Sequence, residues 1–110
     1  MGSGKRLMTR EPRFKERTKI KGTTFSIPKT QMRILWHMEQ GARVETWLAN
    51  LPTGRMWTTD GGQTISPRSI SALWDKKLVV RSTKVIERER KIRTRWEISP
   101  KGRKIVETYT

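Results

Sequence analysis

The chain contains no cysteine, which excludes a disulfide framework and a thiolate metal site. Its one histidine, His37, has no clustered carboxylates around it in sequence, reads as a surface or capping residue, and is not a metal centre by itself. No apolar run approaches the roughly 20 residues that a membrane span requires. The basic N-terminus lacks the following apolar stretch of a secretory signal. Acids are scarce, ten Asp and Glu against 25 Lys and Arg, and no two fall at a spacing suited to acid–base catalysis. The serines have no histidine at a useful spacing, and Asp60-Gly61-Gly62 lacks the Lys-Ser/Thr that completes a phosphate loop. These absences argue against an enzyme, so no catalytic residue, cofactor or metal is expected. The expected setting is the cytoplasm, with nucleoid association if the chain binds DNA.

What remains is charge. A formal net charge of +15 and a pI near 11.3 on 110 residues point to a polyanionic partner, most commonly nucleic acid. The length suggests one small domain with a modest core and no large catalytic cavity.

Residues 1–24 carry Lys5, Arg6, Arg10, Arg13, Lys15, Arg17, Lys19 and Lys21 against Glu11 and Glu16. Leu7, Met8, Phe14 and Ile20 follow no period of 2 or 3.6, so the segment reads as a flexible basic arm or a disordered solubilising tail. The folded domain is expected over 25–110. A helix is expected at about 26–40, with Ser26 as its cap, Met32, Leu35 and Trp36 on one face and Gly41 as its stop. Residues 42–62 fit either a helix face (Val44, Trp47, Leu48, Leu51) or, with the turn signal at Leu51-Pro52-Thr53-Gly54, a β-hairpin; the Thr, Val and Trp content favours the hairpin. Asp60-Gly61-Gly62 marks a second turn.

A capped helix is expected at about 66–77, with Ser66 as cap, Pro67 in the first position and Ile70, Leu73 and Trp74 on one face. Arg68, Ser69, Ser71, Ala72, Asp75 and Lys76 take the remaining surface. A basic β-hairpin is expected at about 79–98, with a charged tip at 87–91. Ile92, Thr94, Trp96 and Ile98 alternate with Arg93, Arg95 and Glu97, the clearest strand pattern in the chain. Ser99-Pro100 caps a last helix at about 99–109 with Ile105 and Val106 inward. Trp36, Trp74 and Trp96 sit at periodic positions and read as core. Trp47 and Trp57 read as core, as a protein-binding surface, or as stacking platforms for unpaired bases.

The sequence ISPRSISALWDKKLV at 65–79 and RKIRTRWEISPKG at 90–102 resembles the second half of a winged helix-turn-helix domain of the multiple-antibiotic-resistance-regulator (MarR) type, and 26–41 is similar to its opening helix. The resemblance covers about half the chain and implies an α+β winged-helix fold, double-stranded DNA as ligand and transcription regulation as role. Two departures stand out. The family ends its recognition helix with a glycine where Lys77 stands here, and it places a helix where 42–62 read as strand.

Physical chemistry supports the same assignment independently. A helix with small residues can approach base edges in the major groove. Arg68, Ser69, Ser71 and Ala72 are the expected base-facing residues, with Lys76 and Lys77 on phosphates. Arg88, Arg90, Lys91, Arg93 and Arg95 would grip the backbone. Glu87 and Glu89 at the tip favour the blander alternative, a solvated hairpin whose charges keep a strand edge soluble. Two other classes of function stay open. One is a protein-interaction module, such as a phage-encoded inhibitor of host machinery, contacting its partner through Trp47 and Trp57. The other is an RNA-binding or ribosome-associated protein. No membrane partner is expected, and the chain is expected to be a monomer or weak homodimer.

Overall fold

The alternation at 92–98 becomes the strand that ties the molecule together. The computed structural model describes residues 11–20, 22–48, 52–82 and 92–107, and residues 83–86 by their backbone. In chain order the elements are β1 (Arg17–Lys19), β2 (Ser26–Pro28), α1 (Lys29–Glu39), β3 (Arg43–Leu48), β4 (Thr53–Thr58), β5 (Gly61–Ile65), α2 (Pro67–Asp75), β6 (Val79–Ile86), β7 (Ile92–Ile98) and α3 (Pro100–Val106). β1 and β2 form a small antiparallel ribbon. The other strands form one antiparallel sheet in the order β5-β4-β3-β7-β6, so the fold is α+β.

Within residues 42–62 the strands β3 and β4 pair antiparallel, as the β-branched and aromatic content favours, while residues 49–51 lie outside the described residues. β5 was not foreseen. Gly61, with φ of 121°, makes a sharp reversal that an L side chain would resist, and the chain pairs at once with β4 instead of remaining a loop. Gly54 is required for a different reason: a Cβ there would lie 2.8 Å from the Ile65 carbonyl oxygen, so only glycine lets β4 and β5 close.

Register fixes the two faces of the sheet. Val44 lies opposite Trp96 and Met56, and Thr46 opposite Thr94 and Gly54. These residues are buried and face the helices, with Ile70 and Leu73 of α2, Met32 and Leu35 of α1, and Ile105 and Val106 of α3 in the same core. The Trp96 indole N–H donates to Thr46 Oγ1 at 2.9 Å, so the largest core ring on β7 keeps its polar group paired.

The N-terminal segment departs from expectation. Phe14, Thr18 and Ile20 are buried, and the Phe14 ring meets Trp36 edge-on at 6.3 Å. Residues 11–20 are therefore anchored to the core by these side chains, while residues 1–10 and 21 lie outside the described residues. Ser26 is not a helix cap. It sits in β2, where its hydroxyl accepts from Arg17, and α1 begins after Pro28 with no side-chain cap. The Lys29 N–H, one of the amides a cap would serve, donates instead to the Glu16 carbonyl at 2.9 Å. The segment thus supplies both a cover and a cap for α1. That explains why Ile34, Leu35, Trp36, His37 and Met38 are buried on successive positions instead of along a single stripe.

His37 is accordingly buried, not a surface residue. Its Nε2 lies 3.5 Å from Glu11 Oε2, an ion-pair distance without hydrogen-bond geometry, while Arg33 holds the same carboxylate at 2.7 and 3.2 Å. Burial pushes the His37 pKa down, partly offset by the Glu11 charge. Burial opposes ionisation of Glu11, but the Arg33 hydrogen bond and charge, with His37, outweigh it and hold the carboxyl below its ordinary value. Both groups bind protons less readily folded than unfolded. Their contribution to stability is complete above the ordinary values of 6.5 and 4.5 and is lost as pH falls through the lowered ones. Thermal unfolding followed by circular dichroism should show the melting temperature falling as pH drops below about 6.5, and falling further below about 4.5. His37→Gln should flatten the upper limb and Glu11→Gln the lower. An unchanged upper limb in His37→Gln would remove this account.

Candidate nucleic-acid interface

α2 is held at both ends. The Ser66 hydroxyl accepts from the Arg68 N–H at 3.2 Å, and Pro67 occupies the first turn, as the sequence signals. At the other end Lys77 adopts φ of 63°, in the left-handed region where glycine is usual. The Lys77 N–H donates to the Trp74 carbonyl at 2.8 Å and the Leu78 N–H to the Leu73 carbonyl at 2.9 Å. Leu73 and Leu78 are both fully buried. This is a Schellman ending with its apolar contact. α1 ends in the same way, with Gly41 at φ of 99°. The lysine is tolerated because hydrogen bonds and the leucine contact specify the turn.

The junction continues into α3. The Ser99 hydroxyl donates to the Lys77 carbonyl at 2.7 Å and accepts from the Gly102 N–H at 3.0 Å, while the Ser99 N–H donates to the Leu78 carbonyl at 2.9 Å. A Cβ on Gly102 would clash with that same carbonyl oxygen, so glycine is needed for the close approach.

The α2 residues expected to contact ligand divide between two sides. Arg68, Ser71 and Asp75 form the exposed stripe. Ser69, Ala72 and Lys76 are half-buried toward α1, where Lys76 Nζ donates to Gln31 Oε1 at 3.2 Å. Lys77 is exposed. Trp74 is not core: it is 43% exposed. Helical spacing puts it at the margin of the Ile70–Leu73 stripe. Its ring meets Trp96 at 5.8 Å and carries the Arg81 guanidinium at 4.7 Å from its centroid. A groove of about 180 Å³ runs beside it, between α2 and the sheet, with Leu48 exposed at its rim.

The hairpin cations are separated more sharply. Arg88, Arg90 and Lys91 lie outside the described residues. Arg95 lies opposite Glu45, and Arg93 opposite Trp47, so both point away from the helices. They do not join α2 in one surface, because the alternation that makes β7 a strand sends them to the other face.

That other face, uncovered by any described helix, also carries Arg43 and Arg55 and both hairpin tryptophans, none of the arginines recognised from sequence. Trp47 and Trp57 are half-buried and meet at 5.9 Å, inclined by 73°. The Arg43 guanidinium lies 4.4 Å from the Trp57 ring centroid. Between Arg43 and Trp47 on β3 stands Glu45, opposite Arg55 and only 8% exposed. The alternation of 43–48 was the available signal, and it becomes legible only once the segment is known to be strand. Among the described residues no three His, Asp or Glu side chains converge on a metal-sized site, and no helix is long and apolar enough to cross a membrane. Comparison with protein-family models, with curated proteins and with solved structures returns no match.

Lys77→Gly should stabilise the fold by about 1 kcal/mol by relieving the left-handed backbone, whereas Lys77→Ala should change it by less than about 0.5 kcal/mol. Urea unfolding measures both, and a destabilised glycine variant would contradict the assignment of the turn.

Proposed function

We propose that the protein binds nucleic acid as a winged-helix-like module, with duplex DNA as the ligand of α2 and a role in regulation. The observation that carries this reading is α2 itself. It is capped at Ser66, locked at Lys77, and passes through the short turn at residues 76–78 into the β6–β7 ribbon. A helix fixed at both ends loses little freedom on docking. Its outward stripe begins with Arg68 and continues with Ser71, small enough for close approach to a groove floor. The strand order β3-β7-β6, with α2 entering β6, supports the resemblance to winged domains. β4 and β5 occupy the stretch where those domains have a leading helix, so α2 would dock from the corner of a sheet and not as the second member of a helix pair. A net charge of +15 supplies the attraction that precedes specific contact.

Asp75 tempers the fit, since it puts a negative charge on the exposed stripe. That gives the proposal a test with two opposite signs. In a salt series with a labelled duplex, log K should fall with log salt at a slope near −5 if about six phosphates are neutralised. Arg68→Ala should weaken binding about tenfold, and Asp75→Asn should strengthen it. Absence of duplex binding at low salt, or weaker binding by Asp75→Asn, would refute the reading.

A further inference from the structure

The sheet face turned away from α2 has an arrangement that the duplex reading does not use. Two indole rings sit on adjacent strands, meeting at 5.9 Å. Trp57 carries one guanidinium group over its ring and has a second beside the neighbouring Gly62. Arg43 lies 4.4 Å over its ring, while a Cβ at Gly62 would come within 3.3 Å of its indole nitrogen and 2.8 Å of Arg55 Nη2. Glycine at 62 therefore leaves the room that Trp57 and Arg55 occupy beside β5. The result is a cluster of aromatic and guanidinium groups on the exposed face, with the two indoles inclined by 73°.

Charge complements this cluster. Arg95 is exposed on the same face, and Glu45, opposite it on β3, is only 8% exposed. Toward the start of β3 the face opens into a cleft of about 420 Å³ lined by Arg43, Arg95 and Arg103 beside Glu97. Arg103 reaches Glu39 at 3.8 Å but stays 62% exposed, so its charge still looks outward. Aromatic and guanidinium groups beside a cationic recess suit unpaired bases on a phosphodiester backbone. A duplex would not use the rings, because paired bases hide their faces. Thr64, exposed opposite Arg55, adds a hydroxyl within the same face for a ribose 2′-OH.

We propose that the open face of the sheet is a binding site for single-stranded RNA, with bases stacking on Trp47 and on the Arg43–Trp57 pair and phosphates entering the cleft of Arg95 and Arg103. The site is distinct from α2 and stands whether or not α2 binds duplex.

Fluorescence anisotropy with a labelled 12-nucleotide oligo-U tests it on the full chain, with oligo-dT, a DNA duplex and polyglutamate as competitors. Oligo-U should bind with quenching of tryptophan emission, and Arg43→Ala/Arg95→Ala should weaken it about tenfold. Both are surface changes that keep the core. Trp47→Leu should lower affinity and part of the quenching together. The arginine pair should leave duplex affinity within about twofold, and Arg68→Ala should do the converse, so the two sites fail separately. Oligo-U affinity unchanged in the arginine pair would overturn the proposal. Displacement by polyglutamate as effective as by oligo-U would overturn it too, since charge without bases would then suffice. Equal binding of oligo-dT would overturn the assignment to RNA.

Discussion

The arrangement depends on the Leu78 peptide. Its N–H closes α2 on the Leu73 carbonyl, its side chain fills the core beside Leu73, and its carbonyl accepts from Ser99 at the end of β7. Ser99 in turn binds the Lys77 carbonyl and the Gly102 N–H that opens α3. One residue therefore terminates a helix, starts a strand and anchors the next helix. The pose of α2 against the sheet follows from this junction and not from helix propensity, because α2 is too short to be stable in isolation.

How much of this was legible depends on whether the signal was local. The caps at Ser66 and Ser99 are local, and both form as their sequences imply. The alternation from Ile92 to Ile98 is local too. The missing glycine at Lys77 weighed less than the family pattern suggests, since Leu73 and Leu78 still specify the turn. By contrast, Phe14 and Ile20 carry no period because they belong to an irregular segment, and only α1 gives them a surface to cover. Ser26 failed as a cap for the same reason: the Glu16 carbonyl, ten residues upstream, already serves the helix start. β5 hid behind its glycines, which read as turn until β4 is present to pair with them.

The candidate site shows a sharper limit. Proximity in sequence suggested that α2 and the hairpin cations form one grip. A pleated strand cannot keep consecutive residues on one side, so once Trp96 is assigned to the core its neighbour Arg95 must face away. The same rule gathers Arg43, Trp47, Arg55 and Trp57 from two strands onto that second face, although no short motif joins them. Charge that looked like a single basic patch is thereby divided between a helix surface and a sheet surface.

The two surfaces are separated by a single sheet. β3 and β7 pair without interruption from Val44 to Leu48, whereas the irregularity in the ribbon falls between Arg81 and Thr83 on β6. The ladder is therefore regular beneath the Trp47–Trp57 pair and bent or more strongly twisted at the β6 edge. What the two surfaces share is the field of fifteen excess positive charges. On the proposed reading, phosphates bound at one face would reduce the attraction felt at the other, a mutual weakening that would fade as salt shortens the screening length.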